Sequence, residues 1–296
     1  MIFMDHIVAS GASQRRFQEV AGERPSALLG PIALMAHIAG VTTHLRLATA
    51  VLNNDLRHPA VLAQELATIE FLSNGRLIVG LGAGWNEDEY AAANLPFDRP
   101  GVRIDRLAEA IVVLKALLRG PAQVSGKYYQ IDGFGDFPRP IQQPQPPFFV
   151  GGGGRRLLTV AARQAQIVGL SPRLGPGGGG FNSVTAAATD EKLSWIRSAA
   201  GEGFSDLEIH VLDYFGGPAI SNDPRPRLRE MADRVRALYG YDVDEGDLLE
   251  SPHVLIGTVD QVVEKLIANR EKWGINIVTA GLLEEFAPVV ARLAGA

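Results

Sequence analysis

Short apolar runs alternate with helix-like stretches along almost the whole chain, and this alternation restricts the fold more than any other feature. Runs with strand character fall at residues 2–6, 45–52, 76–82, 148–151, 166–170, 207–215 and 276–280. Helical patterns occupy 26–39, 59–72, 87–93, 102–118, 155–165, 190–201, 226–239, 258–273 and 282–294. Two of the runs, LIVGLG at 77–82 and INIVTAG at 275–281, are largely apolar without regular alternation. A strand reads that way when helices cover one face of its sheet and a core fills the other. Strand followed by helix, repeated this often, requires a parallel sheet. The number of units favours a (β/α)8, TIM-type barrel over an open sheet.

Composition narrows the classes of function. The chain has 296 residues, 46% hydrophobic and 21% charged, with a formal net charge of -5 and no cysteine. α/β barrels reach this length as one domain, so residues 1–296 are read as a single domain. The acidic balance leaves no basic footprint for nucleic acid. No apolar run is long enough to span a membrane. The opening MIFMDHIVAS lacks the basic-then-apolar pattern of a signal peptide, so a cytoplasmic protein is expected. Absence of cysteine removes disulfides, thiolate metal ligands and cysteine nucleophiles together. No metal site is read from the remaining residues.

Two segments interrupt the rhythm. VSGKYYQIDGF (124–134) reads as an inserted hairpin. SPRLGPGGGGF (171–181) follows a strand end and is rich in glycine and proline. It reads either as a mobile loop over the barrel mouth or as a surface connection without a role.

In a parallel barrel the chemistry sits at the carboxyl ends of the strands. The residues placed there are Asp5 and His6; Ala50, Val51 and Asn53; Trp85 and Asn86; the glycine run 151–154; and Ser171. His6 is the candidate proton donor or acceptor, although a lone histidine also serves structure. Asp5 points to the other side of a regular strand and need not pair with it. His58 precedes a proline and reads as a helix start. In WNEDE, Asn86 can cap a helix, with Glu89 closing a capping box from the third position. Trp85 can wall a flat ring system or pack in a core. A helix opening at Arg155 would direct its free N–H groups at Gly151, Gly152, Gly153 and Gly154. That arrangement suits a phosphate, and glycines there also suit a plain flexible turn.

The stretches LRLATAVLNNDLRHPAVLAQELATIEFLSNGRLIVGLGAGWNEDEY (45–90), LPFDRPGVRIDRLAEA (95–110) and PPFFVGGGGRRLLTVAARQAQIVG (146–169) resemble the bacterial luciferase-like superfamily. Within it they are most similar to the actinobacterial branch that uses the deazaflavin coenzyme F420. The C-terminal LIGTVDQVVEKLIANREKWGINIV (255–278) is similar too. The resemblance implies an oxidoreductase that transfers hydride through F420 to or from a small organic substrate, with a separate cofactor-reducing enzyme as partner. A reduced-FMN-dependent monooxygenase is the nearer alternative, and a non-catalytic flavin or deazaflavin carrier a third. The same resemblance places the cofactor phosphate on Gly151 to Gly154 and the Arg155 amide. It puts Ala50 and Val51 at a non-proline cis peptide behind the ring, with Asn53 beside them. His6 is the implied catalytic residue, near the reactive ring edge, and Trp85, Asn86 and Ser171 line the substrate pocket.

Two positions depart from the pattern. Related sugar-phosphate dehydrogenases carry a glutamate where this chain has Trp85, and Gln166 stands where an acidic residue is usual. Both leave the substrate class open. A homodimer is expected, because Leu62, Leu66, Ile69 and Phe71 give one helix more apolar surface than a single barrel-facing stripe requires. The run IFMDH matches the second strand of the family, so a barrel lacking its first strand and helix is expected. Either a longer chain carries them upstream of Met1, or another segment or partner fills the gap.

Overall fold

The computed structural model describes residues 1–3, 5–7, 29–175, 178–212, 219–281 and 283–294. Position 4 and positions 213–215 of two expected strands, 26–28 and 282 of two expected helices, and 176–177 of the glycine-rich loop lie outside the described residues. In chain order the elements are β1 (Ile2–Phe3), α1 (Pro31–Val41), β2 (Leu47–Thr49), β3 (Leu52–Asn53), α2 (Pro59–Leu72), β4 (Leu77–Gly82), α3 (Glu87–Ala92), α4 (Pro100–Arg119), β5 (Ala122–Ser125), β6 (Gln130–Phe134) and β7 (Phe148–Gly152). There follow α5 (Arg155–Gln164), β8 (Ile167–Leu170), β9 (Leu174–Gly175), β10 (Gly178–Gly179), α6 (Ala186–Ala200), β11 (Glu208–Leu212), β12 (Ala219–Ile220), α7 (Arg225–Tyr239), α8 (Glu245–Glu250), β13 (Ile256–Gly257), α9 (Val259–Trp273), β14 (Ile275–Thr279) and α10 (Leu283–Leu293).

The hydrogen-bonded strand order is β1-β2-β4-β7-β8-β11-β14, with β3 also on β4. Strands that follow one another in chain order in a parallel sheet, with helices between them, are those of a partial (β/α)8, TIM-type barrel. The seven expected strands all lie in this order. Contacts divide the chain into two compact units, one holding residues up to Gly151 together with 163–167, the other holding 152–162 and 168 onward.

In the first unit the single run expected at 45–52 is two short strands, β2 and β3, which follow one another along the same edge of β4. The Ala50–Val51 peptide between them is cis. Glycines of LIVGLG accommodate this segment: a Cβ on Gly80 would lie 1.6 Å from the Thr49 carbonyl oxygen, and one on Gly82 would lie 2.4 Å from Val51 Cγ2. At Gly80 only a residue without a side chain lets the two backbones come so close. Helix α2 begins at Pro59, with His58 as its cap accepting the Ala60 N–H, as the sequence suggests. Its Leu62, Leu66 and Ile69 are buried, and α2 packs against α1 and α4. The apolar surplus expected on this helix is therefore absorbed within the unit at three of four positions; Phe71 alone of the four is exposed. Leu107, Ile111, Leu114 and Leu118 give α4 its buried stripe. The Glu109 carboxylate on the same helix accepts the N–H groups of Lys127, Tyr128 and Tyr129 and ties the expected hairpin, β5 with β6, to α4.

In the second unit β11 and β14 run parallel, with His210 opposite Ile277 and Leu212 opposite Thr279. The segment expected as a loop at 171–181 holds a short antiparallel pair, β9 with β10. Helix α6 starts at Ala186 rather than 190, because Thr185 caps it by accepting the Ala188 N–H. Helix α8 and the β12–β13 pair were not expected from periodicity. Six residues are too few for an amphipathic pattern, although the Asp244–Asp247 capping box that starts α8 is a local signal. Phe181, Val184, Leu228, Met231, Val235 and Leu248 form a compact apolar cluster beneath α7 and α8. Among the described residues no helix is long and apolar enough to cross a membrane.

Candidate active site

The first unit gathers most of the expected strand-end residues. His6 follows β1, and its side chain is one quarter exposed. Its Nδ1 lies 2.8 Å from Glu89 Oε1, and the Ile7 N–H donates to the same oxygen at 3.1 Å. Glu89 is buried. The capping box expected in WNEDE is therefore absent: Asn86 occupies the N-cap of α3 but makes no side-chain cap, and Glu89 turns to His6 instead. Glu89 is the functional candidate that sequence reasoning missed, since its spacing from Asn86 already had a sufficient local explanation. Trp85 stands edge-on to the imidazole, with ring centroids 5.9 Å apart, and is 45% exposed. It is an open wall beside His6 rather than a core residue.

Asp5 points away from His6, as expected. Its carboxylate takes two hydrogen bonds from the Arg57 guanidinium, at 2.6 and 3.2 Å, and one from the Asn53 N–H. This part-buried, bidentate pair joins the end of β1 to the segment after the 3-10 turn, and the Asn53 N–H joins it to β3. The Asn53 side-chain oxygen accepts from the Asp55 N–H and from the Tyr90 hydroxyl, while its Nδ2 is buried without a partner. The single Tyr90 hydroxyl proton is shared with Asp55, at the shorter 2.8 Å, and Asp55 takes both Nε and Nη2 of Arg106. Burial, and then the Asp55 carboxylate, hold the Tyr90 hydroxyl far above its ordinary pKa, so it stays a donor. These bonds hold β3 and the 3-10 turn after it as a stiff polar floor at the strand ends.

The second unit contains the glycine loop. Gly152, Gly153 and Gly154 differ in what surrounds them. A Cβ on Gly152 would meet the Leu157 side chain at 2.4 Å, and one on Gly153 would meet the Pro172 carbonyl oxygen at 2.2 Å. Around Gly154 the corresponding space is open. A side chain at Gly153 would collide with backbone and one at Gly152 with Leu157, whereas at Gly154 the space a Cβ would take is open. Arg155 opens α5 and is exposed, and the N–H groups of that first turn have no partners inside the helix. Helix N–H groups, an open glycine and an exposed guanidinium fit a phosphate group.

Ser171 is tied to this loop through its backbone, its N–H donating to the Gly152 carbonyl at 3.0 Å. Its own carbonyl accepts from Lys192 Nζ at 2.6 Å, and Lys192 also donates to the Ser183 carbonyl. Burial, with Arg173 nearby, brings the Lys192 ammonium down to about 8. The lysine pins both roots of the glycine-rich segment from inside the unit. Gln166 exchanges two hydrogen bonds with the backbone of Phe148.

Comparison with known proteins gives these features a context. The sequence profile of the luciferase-like monooxygenase family matches residues 13–179, more than half of the chain. The oxygenase component of a flavin-dependent trigonelline monooxygenase from Acinetobacter baylyi is 34% identical over 120 residues, 40% of this chain and 33% of that protein. An F420-dependent glucose-6-phosphate dehydrogenase from Kineococcus radiotolerans is 35% identical over 132 residues, 44% of this chain and 37% of that one. The match thus spans well under half the length of these curated relatives. In structure, the monooxygenase RslO1 from Streptomyces bottropensis superposes with a TM-score of 0.70 at 22% identity, covering 99% of this chain and 86% of that one. That likeness is one of fold.

Proposed function

Because the chain belongs to the luciferase-like monooxygenase family, we propose that it is an oxidoreductase that moves hydride between coenzyme F420 and a small organic substrate, with His6 handling the accompanying proton. The observation that carries this reading is the His6–Glu89 pair, a partly exposed imidazole at a strand end with a buried carboxylate on one nitrogen. Such a pair can give or take a proton at the other nitrogen. Similarity to an F420-dependent dehydrogenase supports the cofactor. When bound, F420 supplies the hydride-transferring ring.

This chain's own residues would bind and orient. In the second unit, the N–H groups at the start of α5, with Gly154 and the Arg155 side chain, would hold a phosphate. Ala50, Val51 and Asn53 provide the surface for the ring. Trp85 shields one side of His6, and Asn86 beside it contributes to substrate selection; in the second unit Ser171 is a candidate for the same role. A reduced-FMN monooxygenase is the second reading, favoured by the similarity to the trigonelline enzyme. Equilibrium titration of the protein with F420 and, separately, with FMN tests the assignment. Micromolar binding of F420 followed by substrate-dependent oxidation of its reduced form is the expected result. Binding of FMN alone would replace it with the monooxygenase.

A further inference from the structure

A single carboxylate oxygen makes both contacts between Glu89 and the end of β1. Oε1 accepts the Ile7 N–H at 3.1 Å and lies 2.8 Å from His6 Nδ1. An oxygen that already accepts an amide proton serves its second neighbour as an acceptor as well, so Nδ1 is the N–H donor of the pair. Among the described residues Nε2 has no hydrogen-bond partner, which leaves it as the nitrogen to exchange a proton. Three further features hold the ring in that state. Glu89 is buried, so water does not compete for its oxygen. Its place in the first turn of α3 sets a negative group at the positive end of the helix. Trp85, nearly perpendicular to the imidazole at 83°, adds an edge-on ring contact in this orientation.

We propose that Glu89 is the positioning residue of a His6–Glu89 pair, holding Nδ1 as a donor so that Nε2 is the atom that gives the proton to, or takes it from, the substrate. The proposal rests on the reading of His6 as proton carrier. Glu89 touches neither cofactor nor substrate in this scheme. Its effect passes through the tautomer and orientation of the imidazole. A helix cap would account for a glutamate at this position equally well by sequence, but the bonds made are those to His6 and Ile7.

Nitrogen-15 NMR of ring-labelled histidine reads the tautomer directly, without cofactor or substrate. In the wild type the neutral His6 ring should carry its proton on Nδ1 by about tenfold or more, as expected for a charge-assisted hydrogen bond. Glu89→Gln can accept or donate at the same place, so the preference should fall at least severalfold. Turnover should drop towards that of His6→Ala, with cofactor affinity within a few-fold. The double variant should be no slower than His6→Ala, because the two residues act as one unit. A wild-type ring protonated mainly on Nε2, or a tautomer unchanged in Glu89→Gln, overturns the positioning role. The wild-type spectrum decides even if the variant fails to fold. The expected tautomer together with full turnover in His6→Ala would instead overturn the catalytic reading of His6 while leaving the pairing intact.

Discussion

His6 in the first unit and His210 and His253 in the second place the same side chain in opposite surroundings. His6 is partly open and faces a carboxylate. His253 is fully enclosed, donates from Nδ1 to the Leu212 carbonyl at 2.9 Å and leaves Nε2 buried without a partner. His210 is buried, with Nε2 2.7 Å from the Thr279 hydroxyl. Burial is the main cause in pushing His210 down to about 4 and His253 down to about 3. An imidazole whose burial dominates its surroundings is kept neutral and becomes part of the core. One with a buried carboxylate on one side and access on the other keeps the means of proton transfer.

The largest expected effect is on acid stability. In the unfolded chain both enclosed histidines take up a proton near pH 6.5, whereas in the folded unit they stay neutral down to about 4 and about 3. Between those limits the unfolded chain binds more protons, so stability is fully present above about pH 6.5 and falls as the pH drops. The two together should cost about 4 kcal/mol between pH 8 and pH 5. Denaturant unfolding across that range measures it. His253→Asn, which can keep a donor towards Leu212, should remove about half of the slope. A flat profile would erase the contrast between the two kinds of histidine.

The open histidine should show its effect in turnover. His6→Ala should slow catalysis about 10²-fold, the usual contribution of a positioned acid or base, and leave cofactor affinity within a few-fold. Steady-state kinetics beside cofactor titration separate the two. Lost binding with normal turnover of the bound fraction would move His6 from chemistry to recognition.

Glycines repeat the contrast between enclosed and open positions. Gly154→Val should fold normally and weaken cofactor binding about tenfold, or about 1.4 kcal/mol. Gly153→Val should instead lower stability, by about 1–3 kcal/mol, because its side chain meets the Pro172 backbone. Thermal midpoints read with affinities sort the two effects. Unchanged affinity in folded Gly154→Val would remove the phosphate from this loop.

The smallest effect is expected at Phe71, the exposed member of the α2 set. Phe71→Ser should change monomer stability by less than about 0.5 kcal/mol. Sedimentation of both proteins tests the proposed homodimer. A wild-type dimer and a variant monomer would place its interface on this helix, and a wild-type monomer would remove it.

Much of the architecture was legible in short stretches. Helix α2 runs over the expected 59–72 because a proline at its start and an unbroken apolar period act within a few residues of one another. The order of the seven strands followed from the same local rhythm. Elements of two residues, such as β12 and β13, carry no period and left no trace. In the candidate site, His6, Trp85 and Gly154 were marked by their place after strands, while Glu89 was hidden by its acceptable role as a cap.

Local spacing thus settled which residues stand at the strand ends, since periodicity and helix terminators need only neighbours in the chain. It could not settle which partner each side chain takes. Glu89 had a helix cap and a distant histidine within its reach, and two bonds of similar strength differ only once burial withholds water from one of them. The glycines look alike in the sequence, yet Gly153 is closed by Pro172 and Gly154 stands open, because their surroundings come from chain folded back from later in the sequence.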